Sequence, residues 1–181
     1  MPARALVRCF RSPGLVERVS SKAMFSEDLL YRYALRRVWD RSKPIVCYLM
    51  LNPSKADERF NDPTVERCEQ RARAMGFGGY TIVNLFAFRA TDPLEMMDAE
   101  DPVGSENDKY ILQAVQKSSM VICAWGNGGS FMGRAEHVEV MLRLAGFSPK
   151  MFVLKFTSRN QPQHPLYLSH KQKPERWICA G

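Results

Sequence analysis

The sequence predicts an α/β fold, a three-layer sandwich with a mainly parallel central sheet of four strands. Two patterns carry that expectation. Ile45 to Leu51, Tyr80–Phe86, Met120–Trp125 and Met151–Phe156 are apolar without polar alternation, as strands covered on both faces are. Helix-periodic stretches separate these runs, and strands alternating with helices build a parallel sheet flanked by helices. Residues 1–30 read as a peripheral segment and 31–181 as a single domain.

The elements follow in order. Tyr31, Tyr33, Leu35, Arg37 and Trp39 alternate as a strand does, and Asp40–Lys43 supplies a turn before Pro44 opens the first apolar run. Asn52-Pro53-Ser54 ends that run, and a polar loop leads to Asn61. Asp62-Pro63 marks a helix start, with Asp at the cap and Pro in the first turn. Val65, Cys68, Ala72 and Met75 follow at helical spacing, and Gly76 suits the stop. The loop Ala87–Ser105 carries two Pro and many acidic residues. Helices are expected from about Glu106 to Lys117 and over Arg134–Ala145, with Gly126-Asn127-Gly128-Gly129 as a tight loop.

Composition narrows the class. The chain has 181 residues, 45% of them hydrophobic and 25% charged, as one globular domain with a real core has. No apolar run is long enough to span a bilayer, and Met1–Leu6 lacks the apolar core of a secretory signal. Five scattered cysteines form no C-x-x-C pair. They fit a reducing cytoplasm better than a disulfide framework or a metal cluster, and no metal or other cofactor is expected. The net charge of +7 favours a polyanionic partner, though surface solubility alone also accounts for it.

Four segments at the expected strand ends carry polar or glycine-rich chemistry. They are Leu51-Asn52-Pro53-Ser54, Val83-Asn84-Leu85-Phe86, Trp125-Gly126-Asn127 and His164-Pro165-Leu166-Tyr167-Leu168-Ser169. In open α/β sheets ligands bind at the carboxyl ends of strands. In type, order and spacing these segments resemble the signature of the uracil-DNA glycosylase superfamily over residues 45–170. The chain as a whole also resembles a bacterial family defined only as a domain of unknown function.

The superfamily resemblance implies a monofunctional DNA glycosylase, a monomer that flips a base and hydrolyses its bond to the sugar. Asn52 then holds the attacking water, which a neutral amide orients without taking its proton; Asp57 or Asp62 are candidate bases. His164 stabilises the departing base anion. Asn84 reads the base edge through its amide. Pro53 and Ser54 shape the pocket, and Phe60 or Phe86 stacks on the base. Lys55, Arg89, Gly126, Asn127 and Lys171 contact the DNA backbone, Arg134 and Lys173 being further candidates, and Leu166, Tyr167 and Leu168 form a wedge.

Each residue also has a plain structural reading. Asn84 can bond local backbone, Phe86 can be core, Asp62 can be only a cap, and single cations are commonly solvated. Ser54 departs from the resemblance, because uracil-specific members carry a bulky Tyr there. A substrate larger than uracil, such as a 5-substituted pyrimidine, is therefore expected. Modified phage DNA offers such bases, which suggests defence against phage. Leu166-Tyr167 also stands where Ser-Pro is usual. Rival readings are an enzyme on free nucleosides or nucleotides, an amino-methyltransferase suggested by Asn52-Pro53, and a binding module without chemistry.

Overall fold

A computed structural model describes residues 6–11, 19–54 and 62–178. Eight strands form one mixed sheet. Strands β1 (Leu6–Arg11), β2 (Ser20–Phe25) and β3 (Arg32–Val38) make an antiparallel meander. Strand β3 pairs antiparallel with β5 (Gly79–Asn84). β5, β4 (Ile45–Met50), β6 (Met120–Cys123) and β7 (Met151–Val153) then run parallel, and the short β8 (Glu175–Arg176) closes the far edge antiparallel.

This corrects the expected fold class. The sheet has eight strands rather than four, and four of its seven pairings are antiparallel. The physical reason lies in β2, whose Ser20-Ser21-Lys22 opening is half-buried or exposed while only Ala23 and Phe25 are buried. A strand with one face so little buried lacks the apolar run that marks one covered on both faces. The direction of the β3–β5 pairing is set by contacts between residues about 45 apart in the chain, which local periodicity does not encode.

Helices lie on both faces because successive strand residues point to opposite sides. On one face Cys47, Leu49, Val83, Val121 and Cys123 pack against Ile111 and Val115 of α3 (Asn107–Gln116) and Val138 and Leu142 of α4 (Arg134–Leu144). On the other, Val46, Tyr48, Ile82 and Ile122 pack against Val65, Cys68 and Ala72 of α1 (Pro63–Ala74). Asp62 caps α1 through the Val65 N–H at 2.8 Å, and Gly76, at φ +82°, ends the turn beyond it. The loop Ala87–Ser105 contains a one-turn helix α2 (Pro93–Met97), capped by Asp92. Among the described residues no helix is long and apolar enough to cross a membrane.

Cys47, Cys68 and Cys123 are free and buried. Burial pushes the Cys47 thiol up to about 12, so it behaves as a small apolar side chain. Gly79, between β3 and β4, leaves no room for a side chain. A Cβ there would stand 2.5 Å from the Arg37 carbonyl oxygen and 2.8 Å from Ile45 Cδ1. Gly79→Ala is expected to lower stability by about 1–3 kcal/mol, measured by urea denaturation; an unchanged midpoint would contradict this packing.

Candidate active site

The parallel strands bring their carboxyl ends to one edge. Met50 of β4 is level with Asn84 of β5, and the pairing runs on past both, with Leu85 N–H donating to Met50 O at 2.8 Å and Phe86 N–H to Leu51 O at 2.9 Å. The chain then leaves β4 through Asn52-Pro53-Ser54. Asn52 Nδ2 donates to Ala90 O at 2.8 Å, and Ala90 N–H donates back to Pro53 O at 3.0 Å. Facing carbonyls fix the amide nitrogen inward, so the Asn52 oxygen is the end turned elsewhere.

Asn84 is in the opposite situation. Its side chain is 2% exposed, yet its amide oxygen has no hydrogen-bond partner. Its backbone carbonyl is well served: Asn107 Nδ2 donates to Asn84 O at 3.0 Å and Leu85 O at 2.9 Å. Arg134 Nε adds a bond to Leu85 O at 2.8 Å, and Arg134 also pairs with Asp108. Burial raises the Asp108 carboxyl pKa, but the Arg134 bond and charge, with His137, outweigh it and leave it lowered. The end of β5 is thus held by buried polar side chains while the Asn84 side-chain oxygen has no partner. Leaving such a group unpaired costs about 1–3 kcal/mol.

His164 arrives from the loop after β7. Its Nδ1 accepts from Leu166 N–H at 3.3 Å, which places the neutral ring's proton on Nε2. Burial lowers its pKa from 6.5, with the Asp62 charge pulling the other way. The loop is anchored from below by α1: Arg71 donates to the carbonyls of Ser169, His170 and Gln172. Trp125 Nε1 bonds Gln161 at 2.9 Å and its ring lies against Gly129, where a Cβ would come within 2.0 Å. Gly126 N–H is taken by Pro162 O and Gly129 N–H by Gly126 O. Asn127 Oδ1 accepts from Thr157 Oγ1 at 2.7 Å.

These segments enclose a cavity of about 380 Å³, within the range of small-ligand sites. Asn52, Ser54, Asn84, Gly126, Asn127, His164, Leu166 and Tyr167 all line it. Pro53 is buried behind it. Phe86 is fully buried in the core against Phe131 and does not reach the cavity. Arg89 bonds Leu29 O at 2.9 Å and lies over the Phe25 ring. Leu168 packs on the α1 side of the core, and Lys171 is exposed in a turn. Lys55, Asp57 and Phe60 lie outside the described residues.

Asp62, expected as a cap or a base, also lines the cavity, and three other lining residues, Arg32, Thr64 and Thr91, escaped the sequence reading. Arg32 begins β3, whose antiparallel direction sets that amino end beside the carboxyl end of β5; its N–H donates to Ala87 O at 2.9 Å. No local signal marks it. Asp62 is the only carboxylate lining the cavity among the described residues. Among those residues no three His, Cys, Asp or Glu side chains group as metal ligands do.

Fold and site together define a protein built on one mixed eight-stranded sheet, with a polar ligand cavity at the carboxyl edge of its parallel strands. The chain belongs to the family described as Protein of unknown function (DUF1643), which it matches over residues 32–166. That span holds every lining residue except Tyr167. No curated protein and no solved structure matches the chain.

If the Asn84 amide is kept for a ligand, removing it should not weaken the fold. Asn84→Val is expected to leave the melting temperature unchanged or raised, because it deletes an unpaired buried polar group. A drop of several degrees would show that the amide holds the structure instead.

Proposed function

We propose that the chain is a DNA glycosylase that hydrolyses the N-glycosidic bond of a modified or damaged base, a 5-substituted pyrimidine in particular. The observation that carries this reading is the convergence of Asn52, Asn84 and His164, from three separate segments, on one cavity. A polar base edge supplies what the buried Asn84 oxygen lacks, an N–H donor. Ser54, small and at the cavity wall, leaves space at carbon 5 of a pyrimidine where the resembling uracil enzymes carry Tyr. Bases of this kind occur in modified phage DNA, and their removal would serve defence.

The chemistry distributes over the lining residues. As the bond between sugar carbon 1′ and the base nitrogen breaks, its electron pair goes to the base and positive charge develops on the sugar. His164 Nε2–H donates to the base anion. A water held by the Asn52 oxygen attacks carbon 1′, and its proton passes to the Asp62 carboxylate. Protonating His164 would set a second N–H against the donor of Leu166, breaking the turn that aims the ring. Tyr167 is 75% exposed at the mouth, where an aromatic side chain can fill the gap left by a flipped base.

Labelled single- and double-stranded DNA containing uracil or a panel of 5-substituted pyrimidines tests this reading. Alkali-dependent breaks are expected on a 5-substituted base, with Asn52→Ala and His164→Ala each slower by at least about 100-fold. Because burial lowers the His164 pKa from 6.5, the neutral ring prevails at pH 7, and activity falls as pH drops through a value below 6.5. No abasic sites on any substrate would refute the reading, and a pH profile flat through that range would remove His164 from it.

A further inference from the structure

At the amino end of β4, away from the cavity just described, the sheet carries a second feature. Lys22 of β2 and Arg36 of β3 are direct cross-strand partners, so their side chains share a face. Both are exposed. They line two adjoining hollows of about 450 and 260 Å³. Arg41 and Lys43 stand at one end of this track and Lys117, at the end of α3, at the other. Among the described residues no Asp or Glu lines either hollow; the nearby Asp40 pairs with Lys43 at 3.4 Å.

Like charges directly opposite in an antiparallel pair are destabilising. Among the described residues no hydrogen bond or ion pair offsets the Lys22–Arg36 juxtaposition on this face. Lys117 has a local reason, since cations suit a helix carboxyl end, but Lys22 and Arg36 have none. A row of exposed cations on adjacent strands, with the Ser20 hydroxyl and Gln113 amide beside it, matches a ligand with regularly spaced negative charges. An enclosed small-anion site would instead bury its cations.

We propose that this face binds the phosphodiester backbone of nucleic acid, without regard to base sequence, at a place separate from the cavity. The inference does not rest on the excision reading, because the probe is a short mixed-sequence duplex of ordinary bases only. Its binding is followed by fluorescence anisotropy across a salt series, comparing wild type with Lys22→Gln/Arg36→Gln and with Lys155→Gln/Arg159→Gln. The last pair removes the same charge from exposed positions elsewhere.

Each phosphate contact contributes about 0.9 to the slope of log affinity against log salt. The Lys22/Arg36 pair is expected to lower affinity about tenfold and the slope by nearly two, with thermal stability kept or raised. The Lys155/Arg159 pair should change affinity less than about twofold. Equal losses in both pairs, or no effect of Lys22→Gln/Arg36→Gln, would overturn the proposal. So would failure of the wild type to bind duplex at low salt, or dependence on Lys22 and Arg36 only for anionic phosphatidylserine vesicles.

Discussion

The parallel alignment of β4 between β5 and β6 is the constraint on which the candidate site depends. Because the three strands run in one direction, their chains leave the sheet at one edge, and Met50 and Asn84 are level there. Antiparallel neighbours would have sent Asn52 and Asn84 to opposite ends. Apolar side chains on both faces hold the alignment, with α3 and α4 over one and α1 over the other. Burying such side chains stabilises by roughly 1.5–3 kcal/mol each relative to exposure, and their sum over both faces exceeds any single polar contact at the edge. The strands therefore set the positions, and the polar groups adapt to them.

Around that edge the hydrogen bonding divides into two kinds. Asn107, Arg134 and Arg71 are buried polar residues that donate to backbone carbonyls of the end of β5 and of the loop after His164. They fix the walls. Asn84 is equally buried, and its side-chain oxygen has no partner. A low-dielectric setting makes an unpaired amide costly and makes the same amide a strong partner for an incoming polar edge. Asn107 Oδ1 and Arg71 Nε are also buried without a partner, so what sets Asn84 apart is that its unpaired oxygen belongs to a residue lining the cavity.

Much of this was legible in the sequence, for physical reasons that can be named. The apolar runs of β4 to β7 announce covered strands, and Asp62-Pro63 announces α1. Asn52, Asn84 and Gly126 stand out because polar or glycine residues interrupt apolar runs at strand ends, and His164 because it precedes Pro165 and the apolar Leu166-Tyr167-Leu168. The alternation from Tyr31 to Trp39 announces β3 (Arg32–Val38). Strands β1 and β2 and the antiparallel pairing of the meander were hidden, since β2 buries only Ala23 and Phe25 and pairing direction depends on residues distant in the chain. Arg32 joins the cavity only through that pairing. Arg71 was readable in principle: it falls on the buried stripe of Cys68 and Ala72, a place where a solvated arginine does not belong. Asn107 and Arg134 sit at helix starts, where polar residues are ordinary, so nothing local distinguishes them.

The central claim is that the cavity receives a single base, with Asn84 and His164 touching it. It is tested most directly by side-chain amide and imidazole NMR of the protein bound to DNA carrying one 5-substituted pyrimidine on a 2′-fluoro sugar, which resists cleavage. The account predicts that the Asn84 amide and the His164 ring resonances shift on binding, and that the same duplex with ordinary bases leaves them in place. Tight binding of the modified duplex with both signals unmoved would contradict it.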